Sequence, residues 1–201
     1  TGQLHIGHAY SALFSYAHAT EKNGRFILRI EDIDQGRCRP EFENDIFTDL
    51  KWLGLSWETP VRRQSEHFDV YKAALEQLSE MGLLYPCFCT RKDIQAEIEN
   101  AASAPHGPEG ALYPGICRDL HPDDIAAKMD KGIAYALRLN MDKALAQLRK
   151  PLEWTDIYAG TQTATPEILG DVVLARKDVP ASYHLCVTLD DHIQGVTLVT
   201  R

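Results

Sequence analysis

The opening run Thr1-Gly2-Gln3-Leu4-His5-Ile6-Gly7-His8-Ala9 sets a glycine-containing loop ahead of a helical pattern, with two histidines three residues apart. Backbone N–H groups at a helix start attract phosphate, and Gly7 lets a ligand come close to the backbone. The imidazoles of His5 and His8 can donate hydrogen bonds to phosphate oxygens. This is chemistry for a polyphosphate. A second cluster follows in Leu28-Arg29-Ile30-Glu31-Asp32-Ile33-Asp34, where Glu31 falls at a strand end, the place where α/β sheets put their ligands. A carboxylate there suits an ammonium group. Arg201 follows another apolar run, and its planar fork suits a carboxylate, while Tyr183 offers a ring wall and a hydroxyl. Each of these residues has an ordinary reading too: surface histidines, a solvated acidic turn, a core aromatic, a surface arginine.

The cysteines add a third constellation. Cys38 and Cys186 stand apart, whereas Cys87-Phe88-Cys89 is followed by Tyr113-Pro114-Gly115-Ile116-Cys117. Zinc takes four ligands in a tetrahedron, and two cysteines one residue apart can both reach one ion. Three thiolates leave one position, for which Tyr113, His106 and His121 are candidates. Ordinary buried cysteines are the competing reading.

The elements that must position these residues are legible in the apolar spacing. Ala9, Ala12, Leu13, Tyr16 and Ala17 mark a helix ended by Gly24, and Arg25 to Ile30 reads as a buried strand. Helix followed directly by strand fits an α/β sheet, with an earlier strand expected upstream of Thr1. Pro40 and Gly54 bracket a helix, and a further one runs from about Glu66 to Gly82. Leu83 to Phe88 reads as a strand entering the cysteine pair, Thr90 with Asp93 as a capping box, and Ala101 to Gly115 as a loop. Pro122 opens a helix ending at Gly132. Ile133 to Leu139, Leu152 to Tyr158, Asp171 to Ala175 and Val196 to Val199 are strand candidates. The resulting organisation is a mixed α/β domain: a first part over 1–82, an insertion over 83–139 carrying the cysteines, and a second part over 140–201.

Composition limits the function classes. The chain has 201 residues, 44% hydrophobic and 25% charged, enough for a real core. It shows no run of eighteen apolar residues and no secretory signal at its start, so a cytoplasmic protein without a membrane partner is expected. A net charge of −8 disfavours broad nonspecific nucleic-acid binding. Pairs such as Arg37 with Arg39, Arg62 with Arg63 and Arg91 with Lys92 read as solvated surface or as local phosphate contacts. An initial Thr and a strand-like end suggest an excerpt of a longer chain.

Taken together, Thr-Gly-x-Leu-His-Ile-Gly-His-Ala resembles the nucleotide-binding motif of class I aminoacyl-tRNA synthetases. Leu28 to Asp34 is similar to the glutamate-binding strand end of the glutamyl and glutaminyl branch. Ser182-Tyr183-His184-Leu185, then Leu189-Asp190-Asp191-His192 and Val199-Thr200-Arg201, continue the match in family order across nearly the whole chain. The resemblance implies a Rossmann-like catalytic domain with a zinc-bearing α+β insertion. It implies ATP binding at Thr1, Gly2, His5, Gly7 and His8, with His5 and His8 catalytic, and glutamate binding at Glu31, Tyr183 and Arg201. Mg²⁺ would accompany ATP. The family's Arg-Phe-Ala-Pro-Ser-Pro segment would precede Thr1, and its Lys-Met-Ser-Lys-type loop would follow Arg201.

Cys-x-Cys with a later Tyr-x-x-x-Cys is similar to the zinc arrangement of glutamyl-queuosine tRNA(Asp) synthetases, which implies structural Zn²⁺ on Cys87, Cys89, Tyr113 and Cys117. The Cys-x-His pair of many glutamyl-tRNA synthetases is not found, and Ile33 stands where many of them have Thr. The expected substrates are therefore ATP, L-glutamate and tRNA(Asp) bearing queuosine, handled by a monomer. The alternatives are a fragment of an enzyme charging tRNA(Glu), a zinc-stabilised tRNA-binding module without catalysis, and a small-molecule nucleotidyltransferase.

Overall fold

The computed structural model describes residues 2–100, 106–107 and 110–200, with side chains at all of these except 100, 106, 107, 110 and 111. In chain order the elements are α1 (Ile6–Glu21), β1 (Arg29–Ile30), α2 (Pro40–Trp52), β2 (Arg62–Arg63), α3 (Phe68–Glu80), β3 (Leu84–Cys87) and α4 (Arg91–Asn100). There follow β4 (His106–Gly107), β5 (Gly110–Ala111), α5 (Pro122–Asp130), β6 (Ala136–Leu139), α6 (Met141–Ala146), β7 (Glu153–Asp156), β8 (Gly160–Thr163), β9 (Val173–Ala175) and α7 (Tyr183–Gln194). Short 3-10 turns cover Gln64–Glu66 and Pro166–Leu169. The chain forms two compact units, Thr1–Tyr71 with Leu185–Arg201, and Lys72–His184.

In the first unit, β1 and β2 pair in parallel, with Arg29 opposite Arg62 and Ile30 opposite Arg63. Parallel strands need a crossover, and α2 supplies it. Its ends are written locally: Pro40 in the first turn with Glu41 and Glu43, Lys51 in the last turn, and Gly54 at φ 79° just beyond. Two like charges set side by side in a strand pair are destabilising unless neutralised. Consecutive carboxylates of α7 do this. Asp191 accepts from Arg29 Nη1 at 2.8 Å, and Asp190 accepts from Arg62 Nε at 2.8 Å. Asp190, fully buried, also accepts from Gln64 Nε2 and from the Tyr71 hydroxyl, each at 2.9 Å. Burial, then the Asp190 bond, raises the Tyr71 pKa well above its ordinary value, so the phenol stays a donor.

The second unit is built on an antiparallel sheet in the order β3-β6-β9, beside the hairpins β4–β5 and β7–β8. Its polar centre is Asp171, whose carboxylate accepts from the Tyr85 hydroxyl, from Arg118 Nε at 2.8 Å and from the Met141 amide at 2.9 Å. The expected insertion, 83–139, lies inside this unit, which extends further at both ends and takes in β9.

Several expectations are corrected. The strand expected over 25–30 is paired only at Arg29–Ile30, and Arg25 instead forms an exposed ion pair with Glu58. No strand forms over 196–199: a strand needs a ladder partner, and among the described residues these have none. Arg62 and Arg63 are not solvated surface, since the first is paired with Asp190 and the second with Glu43. The loop expected over 101–115 lies partly outside the described residues, and its described part includes the β4–β5 pair. No helix among the described residues is long and apolar enough to cross a membrane.

Candidate active-site cleft and metal centre

The start of α1 is held by its own histidines. His5 is the N-cap: its Nδ1 accepts from the Gly7 amide at 3.1 Å, and the His5 amide donates to His8 Nδ1 at 3.2 Å. Because Nδ1 accepts in both rings, the neutral imidazoles carry their proton on Nε2, so each has an outward donor. The rings stand 3.8 Å apart between centroids and are exposed. Gly7 favours this packing, since a Cβ there would stand 3.0 Å from the His5 ring and push it aside. Gly2 at φ 149° adopts backbone that side-chain-bearing residues avoid.

His5, His8 and Gly2 share a cleft of 680 Å³ with Glu31, Asp32 and Cys38. Glu31 follows directly on β1, and its Oε1 accepts from Arg29 Nη2 at 3.2 Å. Arg29 is in turn fixed by Asp191 and by Gln194 Oε1 at 3.1 Å. Burial works against the Arg29 charge, yet Asp191 and Glu31 more than offset it and raise the pKa above its ordinary value. Asp32 points elsewhere: its carboxylate accepts from the Ser65 amide at 2.9 Å and the Ser65 hydroxyl at 2.6 Å, clamping the turn after β2 to the end of β1. The cleft therefore offers neutral donors from α1 and an anchored carboxylate from β1.

Among the expected ligand residues, Tyr183 opens α7, is 57% exposed and lies in the second unit. Thr1 and Arg201 lie outside the described residues. Arg29, Asp191 and Gln194 had no assigned role in the sequence. The signal was present in Arg29 itself: a charge between Leu28 and Ile30 in an apolar strand needs a buried partner.

In the second unit the sulfurs of Cys87, Cys89 and Cys117 all lie within 4.8 Å of one another. Tyr113 joins them, its hydroxyl 3.4 Å from Cys87 Sγ and 3.7 Å from Cys89 Sγ, with Cys89 and Cys117 3.4 Å apart. A tetrahedral zinc with Zn–S bonds of about 2.3 Å spaces its ligand atoms about 3.8 Å apart. The donor set fits such an ion in both chemistry and spacing. β3 carries Cys87 into the site, while the Tyr113 oxygen accepts the Cys117 amide at 2.9 Å and so closes the loop from 113 to 117 on itself. Tyr85, Phe88, Leu120 and Ile125 pack around the cluster. Burial, aided by the neighbouring Cys117, pushes the Cys89 thiol up to about 12. Burial also opposes ionisation at Cys87, but Tyr113 and Arg138 outweigh it and lower that thiol. His121 is engaged as the N-cap of α5, accepting from the Asp123 amide at 3.3 Å, and the His106 side chain lies outside the described residues.

A polyphosphate-suited helix start beside an anchored carboxylate on a parallel strand pair, with a separate three-cysteine centre, defines a nucleotide-handling α/β domain. The chain belongs to the family of class I tRNA synthetase (E and Q) catalytic domains, whose match covers residues 1–201. It is 46% identical to a glutamyl-Q tRNA(Asp) synthetase of Rhodobacter capsulatus over all of this chain and 73% of that protein. It is 41% identical to one of Symbiobacterium thermophilum, of which it spans 62%. A glutamate–tRNA ligase of Aquifex aeolicus is 36% identical and is covered over 41% of its length. Among solved structures, a glutamate-tRNA synthetase from Elizabethkingia anophelis matches with a TM-score of 0.76 at 29% identity, over 98% of this chain and 41% of that one.

Proposed function

We propose that this domain activates glutamate with ATP and transfers it to queuosine in tRNA(Asp). The observation that carries this reading is the ordering of relatives: proteins named for the glutamyl-Q reaction stand at 46% and 41% identity, and the glutamate–tRNA ligases at 35–36%. The cleft supports the first step. A glutamate carboxylate oxygen attacks the α-phosphorus of ATP, forming glutamyl-adenylate and releasing pyrophosphate. Gly2 and Gly7 let the nucleotide approach α1, the family resemblance adds Thr1 to the ATP-binding residues, and the Nε2 donors of His5 and His8 bear on phosphate oxygens as their charge rearranges. Mg²⁺ enters with the nucleotide.

Glu31, held by Arg29, offers its other oxygen to the substrate ammonium, and the family resemblance adds Tyr183 and Arg201 as glutamate-binding residues. No side-chain nucleophile is required, so catalysis is positioning and electrostatics. In the second step a hydroxyl of the modified base attacks the activated carbonyl, forming the glutamyl ester as the acyl–phosphate bond breaks and AMP leaves with the hydroxyl proton lost to solvent. Zinc on Cys87, Cys89, Tyr113 and Cys117 is structural, binding within the second unit and far in sequence from the histidine motif.

The test is transfer of labelled glutamate by the intact protein to tRNA(Asp) with and without queuosine, and to tRNA(Glu). Transfer only to the queuosine-bearing tRNA is expected. Equal labelling without queuosine, or esterification of the terminal adenosine of tRNA(Glu), would replace this reading with that of a glutamate–tRNA ligase.

A further inference from the structure

Arg138 sits in the middle of β6, between Leu137 and Leu139, where an unneutralised charge would be costly. Only part of its guanidinium is accounted for by the sheet. Nη1 donates to the Asp171 carbonyl at 2.7 Å, whereas Nε is buried with no hydrogen-bond partner among the described residues. The same guanidinium lies 3.8 Å from the centroid of the Tyr113 ring, a close cation–π stack. The register of the sheet sets Pro86 opposite Leu137 and Cys87 opposite Ala136, so β6 runs directly beside the strand that delivers the first cysteine.

The loaded site has a charge problem that this residue answers. Thiols bind zinc as thiolates, and the thiolates of Cys87, Cys89 and Cys117 outnumber the two charges of the ion. The centre is therefore anionic and packed among apolar side chains. Lys177 approaches it, but its Nζ is bound to the Phe88 carbonyl at 2.7 Å, and Lys128 lies over the Phe88 ring. Arg138 instead covers a ligand side chain itself.

Building on the zinc reading above, we infer that Arg138 is the positioning residue and counter-charge of the metal centre, stacking on Tyr113 to hold its hydroxyl at the fourth ligand position while offsetting the excess of thiolate charge. The Asp171 carbonyl fixes the far side of the guanidinium, which ties the metal centre to the polar core of the unit. Supporting groups of this kind change metal affinity by about 10–100-fold when removed.

The test compares the intact protein with Arg138→Met and Arg138→Lys. Zinc affinity is read by competition with a chromophoric chelator, and the ligand set by the d–d bands of the cobalt(II)-substituted protein. Arg138→Met should weaken zinc by about 10–100-fold and shift the cobalt bands as water replaces the phenol oxygen. Arg138→Lys, which keeps the charge and loses the planar stack, should recover part of the affinity while still shifting the bands. Tyr113→Phe provides the control: the cobalt spectrum of Arg138→Met should approach that of Tyr113→Phe. Unchanged affinity and spectrum in Arg138→Met would overturn the inference. So would weakened affinity with an unaltered cobalt spectrum, since that leaves Arg138 as a sheet residue only. Parent protein that binds no zinc would instead remove the metal reading, and this inference with it.

Discussion

His5 and His8 illustrate how one side chain can serve both structure and chemistry. Their Nδ1 atoms close the first turn of α1, which leaves Nε2 of each as the donor available to a ligand. His5→Ala and His8→Ala should each slow ATP–pyrophosphate exchange by about 100-fold, the loss typical of a charge-stabilising donor. Glutamate binding should change much less, because the partners of these rings are phosphates. Exchange that survives in both variants would leave the histidines as a helix cap and nothing more.

At the scale of elements, the decisive contact is Asp190. Its carboxylate has no exposure and takes three donors from β2, the following turn and α3. Asp190→Ala removes the acceptor of Arg62 Nε and leaves a guanidinium at 14% exposure without its counter-charge. Breaking such a pair costs roughly 3–5 kcal/mol, readable in the midpoint of a urea unfolding curve. A shift below 1 kcal/mol would mean that Arg62 finds water or another partner.

The boundaries of α2, α3, α4 and α5 were legible because capping and stop signals are local: Pro40 and Gly54, Gly82, Thr90 with Asp93, Pro122 and Gly132. The apparent strand over 196–199 failed for the opposite reason, since pairing depends on a partner that apolar alternation cannot name. α6 begins at an Asn140 cap that accepts the Lys143 amide, a signal present in the sequence and passed over. Spacing singled out the cysteines and left Tyr113, His106 and His121 as candidates beside them, of which the family resemblance chose Tyr113, whereas Arg29 and Arg138 carried no such signal. An arginine inside an apolar strand shows that a partner exists, and only the fold shows which one.

At the scale of the whole molecule, the two units differ in what secures them. The first relies on part-buried ion pairs between α7 and the parallel strands; the second surrounds the cysteine cluster and the Asp171 core. Structural zinc contributes on the order of 10 kcal/mol of apparent binding free energy, so its loss should be felt mainly where its ligands lie. Cys87→Ser, or dialysis against a strong chelator, should accelerate amide hydrogen exchange within Lys72–His184, above all in β3, β6 and the segment 113–117. Exchange that rises equally in Thr1–Tyr71 would show that the metal secures both units, and protein carrying no zinc would end the metal assignment.

The pairing of Arg29 with Arg62 also bears on the order of events during synthesis. The two cations face each other across adjacent strands, and their carboxylate partners lie 162 and 128 positions further along the chain. Until those aspartates have been made, Glu31 is the carboxylate at hand to offset two facing guanidinium groups. The β1–β2 pair therefore gains its α7 counter-charges only once the segment Tyr183–Gln194 has been made.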